Sequence, residues 1–281
     1  MLTRRGILAM VQALEAASTI ATENNSQAAI EARAAAGKIL WAAPLIVMLA
    51  RPCLMVVGQG LVSLILAGLH RPDPWHMAGH WWTVYGTFVD AGCLAAMFWF
   101  TKREGIRMRE LFGPIGLRHG RDIFLGFAYF LLVFPLFLIG GIVFHRLLYG
   151  TSSVDAGAYL TQPHFMPLWA VVYSLSIWWL IWSPTEEATY QGYVLPRMRA
   201  LTGRTWVAFA VVGLVWAFQH SLLPFVADWR FMLFRTLAFA PGVFAMMAIY
   251  WRTRRLAPLI LAHWPMDIAG ALMTCVLPNL K

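Results

Sequence analysis

Five side chains in this sequence have the types and spacing for acid–base chemistry. Glu186 and Glu187 are adjacent just after the apolar run 165–182, His220 closes the apolar stretch 214–220, and His263 and Asp267 lie four residues apart in 261–267. An ionisable group in hydrocarbon costs roughly 2.5 kcal/mol or more, so such residues normally face a bundle interior or a cavity. Two glutamates, two histidines and an aspartate in an otherwise oily chain therefore read as one site assembled from three helices. By spacing, His263 and Asp267 share a helical face, as do Glu187 with Gln191 and Glu186 with Tyr190. A carboxylate held away from water beside a second carboxylate can take a proton from water near neutral pH. A histidine next to it can share that water and later protonate a leaving amine. A second histidine, backed by an aspartate, can donate hydrogen bonds to a developing oxyanion. These parts suffice to hydrolyse an amide through an activated water, without a covalent nucleophile.

Blander readings exist for each part. Ser183-Pro184 ahead of two acids suits a helix start. His263 with Asp267 suits an intrahelical hydrogen bond that serves packing alone. Capping explains the acids but not their depth, and the ordered cluster favours a site. His70, His76 and His80 fall in a Pro/Trp-rich stretch and read as a solvated loop.

The elements that must position the five are membrane spans. The 281 residues are 60% hydrophobic and 12% charged, with mean hydropathy +0.63. Soluble domains carry about 25% charged residues, so this is a membrane protein. Lys+Arg 22 against Asp+Glu 13 gives +9. The excess gathers in short loops between apolar runs, which is the pattern of topology signals and not of a nucleic-acid surface. Three widely spaced cysteines, Cys53, Cys93 and Cys275, read as buried free thiols.

Residues 1–50 are expected to form a cytoplasmic tail and an interfacial helix at 39–50, and residues 51–281 the transmembrane bundle. Spans are predicted at 52–69, 81–100, 123–148, 165–182, 207–223, 234–250 and 256–276. The expected fold class is all-α, a polytopic bundle of about seven spans. Basic clusters (Lys38 with Arg51, then 102–121, 197–204 and 252–255) alternate with Lys/Arg-poor loops at 70–80, 149–164 and 224–233. That alternation predicts a cytoplasmic N-terminus in the plasma (inner) membrane. At 1.5 Å per residue, Glu187 lies about 15 Å from Arg197 and His263 about 12 Å from Arg255, but His220 about 24 Å from Arg204. The first two depths agree; the third does not.

Three stretches, in order, resemble a known family. Glu186-Glu-Ala-Thr-Tyr-Gln-Gly192 looks like the Glu-Glu-x-x-x-Arg motif of the CPBP family, which includes CAAX prenyl endopeptidases and bacteriocin-processing or immunity proteins (also called Abi). Trp216-Ala-Phe-Gln-His220 resembles its Phe-x-x-x-His motif, and His263-Trp-Pro-Met-Asp267 its His-x-x-x-Asn/Asp motif. The resemblance covers about 120–278. It implies an intramembrane endopeptidase in which Glu186, assisted by His220, activates water, His263 and Asp267 stabilise the oxyanion, and Glu187 supports the first motif. It also implies a membrane peptide or protein substrate, with a lipidated C-terminus in the better-known relatives, and no cofactor. Two His and three carboxylates could also hold Zn²⁺, but there is no His-Glu-x-x-His, and the resemblance favours a metal-free mechanism. Two positions depart from the pattern. Trp216 stands for Phe and keeps an aromatic wall. Gln191 stands for Arg and removes a positive charge beside Glu187, which feeds the alternative of a non-catalytic scaffold or immunity protein. A proton- or ion-translocating protein is a third reading, but no repeated half with matching broken helices is present.

Overall fold

The computed structural model describes residues 24–113, 119–150 and 166–277. Expectations for most of the N-terminal tail and for the 149–164 loop lie outside those residues. Among the described residues every regular element is helical. Helix α1, Gln27–Ala35, is short and capped by Ser26, whose hydroxyl accepts from the Ala29 amide. Then come α2, Ala42–Gly68, a short α3, Pro74–Gly79, and α4, Trp82–Glu104. A 3₁₀ turn at Met108–Phe112 precedes α5, His119–Tyr149. Helices α6, Leu168–Ser176, and α7, Trp178–Glu187, are two pieces of one broken rod. A π-helical segment, Ala188–Val194, joins α7 to α8, Leu195–Thr202. The chain closes with α9, Thr205–Gln219, α10, Trp229–Thr253, and α11, Ala257–Ala271, which ends in a π turn, Leu272–Val276.

Among the described residues, five helices are long and apolar enough to cross a membrane: Ala42–Gly68, Trp82–Glu104, Gly120–Tyr149, Trp229–Thr253 and Ala257–Val276. The protein is a polytopic all-α membrane bundle. Two of the about seven expected spans are not among these five. The span at 165–182 is broken at Ile177 and continues through the π segment. Helix α9 has 15 residues, about 22 Å at 1.5 Å each, which is short of a ~30 Å core. The expected division at 50/51 falls inside α2, which runs unbroken through Pro52. An interior proline forfeits one backbone bond, and in a bundle its neighbours make good the loss.

Packing explains the arrangement. Helix α5 is mostly lipid-exposed, with Leu147 72% accessible, and reaches the bundle through two small residues. A Cβ on Gly140 would stand 2.4 Å from the Ala238 carbonyl of α10, and one on Gly126 would stand 2.6 Å from Leu261 of α11. Such close approach is how helices associate where lipid is as apolar as the side chains. One buried cluster centres on Tyr190, Trp216, Met246 and Leu259, a second on Trp82, Trp178, Trp182 and Leu222. Cys93 and Cys275 are buried as expected, but Cys53 is exposed on α2.

The basic segments meet at one end. Arg197 binds Glu104 with two 2.7 Å contacts, Arg255 binds Asp122 at 2.7 Å, and Arg254 donates to Gln27. At the other end Gln59 accepts from the Phe225 amide at 2.8 Å and Trp75 donates to the Phe225 carbonyl. Arg51, grouped with Lys38 by sequence, is instead fully buried in the middle of α2.

Candidate active site

Glu186 and Glu187 occupy the last turn of α7, and both are fully buried. The helix-start reading of Ser183-Pro184 is thereby corrected: Ser183 lies inside α7 and its hydroxyl donates to Asp267. From Ala188 the helix widens to π geometry. A π segment shifts every later side chain around the axis and is common at functional sites. Gln191 therefore does not pair with Glu187 as simple helical spacing predicts. Both of its amide atoms are buried without a hydrogen-bond partner among the described residues. Tyr190 keeps the expected side of the helix. Its ring stacks on Trp216 at 5.2 Å, and its hydroxyl donates to Gln219.

The depth conflict at His220 dissolves in the α8–α9 turn. Arg197 is no surface marker, because α8 continues past it to Thr202 and turns at Gly203. Gly203 adopts φ +67, the left-handed conformation that glycine enters without cost. Counted from Gly203, Glu187 lies sixteen residues in and His220 seventeen, about 24–26 Å by the helical rise. His220 Nε2 stands 3.9 Å from Glu186 Oε1, and its Nδ1 faces the Trp216 carbonyl at 3.0 Å.

The third motif arrives from α11. His263 Nδ1 lies 2.9 Å from Glu187 Oε1, and His263 Nε2 lies 3.5 Å from Asp267 Oδ1. The ring thus sits between two carboxylates. All five residues singled out by sequence are brought together, as a pair, Glu186 with His220, and a trio, Glu187 with His263 and Asp267. Glu186, His220, His263 and Asp267 line one cavity of about 470 Å³. Its walls are mainly apolar and aromatic, with Phe134 and Phe137 of α5, Trp178 and Trp182 of α7, and Met273 beyond α11. Glu187 is not on the wall; it backs His263. Among the described residues no group of three or more His, Cys, Asp or Glu is placed to hold a metal ion.

Sequence reading missed three groups here. Arg51 donates to Asp90 Oδ1 at 2.8 Å and to Glu186 Oε2 at 3.2 Å, with all three side chains fully or almost fully buried. Its guanidinium also lies 4.0 Å over the Trp182 ring. Trp216 does more than form a wall, since its indole N–H donates to Glu186 Oε1. Glu186 is thus held on one oxygen by a cation and on the other by a neutral donor. Ser183, by fixing Asp267, is the third. Part of the signal was present: Asp90 lies inside the predicted span 81–100, and an intramembrane charge normally has a partner, but Arg51 falls just outside the span predicted at 52–69.

Comparison with known proteins is consistent with this site. Residues 166–269 match the family described as Type II CAAX prenyl endopeptidase Rce1-like. That segment holds Glu186, Glu187, His220, His263 and Asp267 with Ser183 and Trp216, but not Arg51 or Asp90. The chain is also 33% identical over 96 residues to cytochrome c oxidase subunit 1 of Corynebacterium glutamicum, covering 32% of this chain and 16% of that protein. So small a share of the oxidase carries none of its activity across. No solved structure matches the chain significantly.

Proposed function

We propose that this protein is an intramembrane endopeptidase that cleaves a peptide bond by glutamate-activated water, a reading supported by the match of residues 166–269 to the Type II CAAX prenyl endopeptidase Rce1-like family. The observation that carries the proposal is the meeting of Glu186, His220 and His263 on one cavity. In this mechanism a water between Glu186 and His220 gives its proton to the Glu186 carboxylate as its oxygen attacks the scissile carbonyl carbon. The carbonyl oxygen takes the negative charge and accepts a hydrogen bond from the His263 side. Glu187 lies 2.9 Å from His263 Nδ1 and orients the ring, and Asp267 stands 3.5 Å from Nε2, so the Nε2 side is the one that donates to the oxyanion. Collapse of the intermediate breaks the C–N bond. The proton held by Glu186 and His220 passes to the leaving amine.

Arg51 answers the difficulty raised by Gln191. The positive charge absent from the first motif comes from α2 instead and bonds directly to Glu186. The scaffold reading loses its main support with that contact. The apolar walls suit a membrane peptide or protein substrate, and a lipidated chain end fits the same surface. By the basic segments gathered at one end, that end and the N-terminus face the cytoplasm of a bacterial-type inner membrane. The test is cleavage of a model membrane peptide in nanodiscs, with fragments identified by mass spectrometry, for wild type and Glu186→Gln. Wild type yields two fragments joined at one site and the variant none. An inert wild type, or a variant that cleaves equally well, defeats the proposal.

A further inference from the structure

The π segment directly after the glutamate pair is fastened from outside residues 166–269. Residues Ala188–Val194 hold a geometry that helices rarely keep for more than a turn. By its i-to-i+5 spacing Gly192 lies one turn beyond Glu187, and four residues further on Pro196 has no N–H to offer a carbonyl. The Gly192 carbonyl is met instead by Asn25, whose side-chain amide donates to it at 3.1 Å. Arg197 Nη1 donates to the Asn25 side-chain oxygen at 3.3 Å, and to the Gly192 and Tyr193 carbonyls at 3.4 and 3.2 Å. Its Nε and Nη2 grip Glu104 of α4. Asn25, only 8% exposed, thus links the N-terminal segment to the turn that follows Glu187. Gln27 adds a second contact, donating to the Pro196 carbonyl at 3.3 Å and accepting from Arg254. Asn24 adds a third, donating to Glu110 at 3.2 Å.

We infer that residues 24–35 form a strap that sets the π turn and, through it, the Glu186 and Glu187 side chains, with Asn25 as its positioning residue. The inference rests on the endopeptidase reading above and adds to it a control of the rate from a segment remote from the cavity. The attachment is polar and shallow. Helix α1 has nine residues and buries one of them, Ile30, and so short a helix is marginal by itself. Hydrogen bonds to carbonyls of the π segment and α8 therefore decide whether the strap stays down. The route from Asn25 to the chemistry is short. Gly192 cannot move sideways, because a Cβ there would already stand 3.0 Å from the Leu111 carbonyl and from Leu256. A Gly192 carbonyl released by Asn25 is relieved by rotation of the turn that begins at Glu187. Glu187 holds His263 at 2.9 Å and Glu186 holds Arg51 at 3.2 Å, and a shift of about 1 Å breaks such contacts and slows a positioned reaction by up to about a hundredfold.

The experiment uses the full chain in nanodiscs, comparing wild type with Asn25→Ala, Asn25→Asp and Glu31→Gln. The readouts are kcat and KM for a model membrane peptide, the unfolding temperature, and hydrogen exchange over residues 188–197 followed by mass spectrometry. Asn25→Ala is expected to lower kcat about tenfold, the size of one buried hydrogen bond. KM stays unchanged, because Asn25 is not on the cavity wall. Exchange over 188–197 should speed up about tenfold while α10 keeps its wild-type rate. Asn25→Asp retains an acceptor for Arg197 but loses the donor to Gly192, so its unfolding temperature should stay near wild type while kcat falls as in Asn25→Ala. A segment that served folding alone would make kcat follow the unfolding temperature, and that correlation across the variants overturns the inference. So does a wild-type kcat in Asn25→Asp, or a loss carried entirely by KM. Glu31→Gln weakens the exposed pair with Arg199 and keeps an acceptor for Gln27, so it should retain wild-type kcat; an equal loss there would strip Asn25 of its special role. A wild type that cleaves no peptide refutes the endopeptidase reading. The strap is then upheld by faster exchange over 188–197 in Asn25→Ala and overturned by unchanged exchange.

Discussion

Replacing Arg51 with Gln is the sharpest perturbation of the catalytic proposal. Arg51 lies 3.2 Å from Glu186 and 2.8 Å from Asp90, with no solvent access. At an effective dielectric near 20, a pair of unit charges 3.2 Å apart attracts by about 5 kcal/mol. Desolvation of the ions offsets part of this, and removing one member of such a buried pair costs about 3–5 kcal/mol. Arg51→Gln is therefore expected to lower thermal stability and to reduce kcat/KM by about two orders of magnitude, since each 1.36 kcal/mol at the transition state is tenfold in rate. The two effects separate in the double variant Arg51→Gln/Asp90→Asn. Neutralising Asp90 removes one of the two orphaned carboxylates, so stability should recover in part. Activity should not recover, because Glu186 still lacks its cation. The measurements are unfolding temperature in detergent and peptide cleavage in nanodiscs. Wild-type rates in Arg51→Gln would refute the reasoning. So would a double variant that regains activity along with stability, because Arg51 would then matter only to folding.

Four other outcomes are expected. Placing the arginine back in the first motif, Arg51→Gln/Gln191→Arg, should recover at least about tenfold of the lost kcat/KM, since one cation near the carboxylates is restored; no gain over Arg51→Gln would mean that the two positions are not interchangeable. Trp216→Phe keeps a ring against Tyr190 but deletes the donor to Glu186, so kcat should fall about tenfold with KM little changed, the cost of one hydrogen bond to a charged group. Incubation with EDTA and then with Zn²⁺ should leave cleavage unchanged; loss on chelation and return with metal would replace the water-activation scheme. Single cysteines at Arg103, Arg199 and Arg252 should label from the same side of sealed vesicles, because the segments carrying them gather at one end of the bundle; opposite labelling of any one would overturn the helix arrangement.

The membrane class and the identities of Glu186, Glu187, His220, His263 and Asp267 were legible in the chain. Hydrocarbon penalises charge so heavily that a polar residue in an apolar run announces itself, and four-residue spacing places His263 and Asp267 on one helical face. What sequence misjudged are the quantities that depend on where a neighbouring helix stands. Helical rise gave the right distance for His220, but Arg197 was taken for the membrane surface because its partner Glu104 lies 93 residues away. Arg51 looked like a loop charge beside a proline, and only the approach of α4 and α7 makes it the counter-ion of Asp90 and Glu186. Trp216 looked like a wall until Glu186 came within reach of its N–H. Gln191 was placed by α-helical spacing, which the π segment does not obey. Local chemistry and periodicity are written along the chain; the pairing of buried charges is set by three-dimensional proximity between helices.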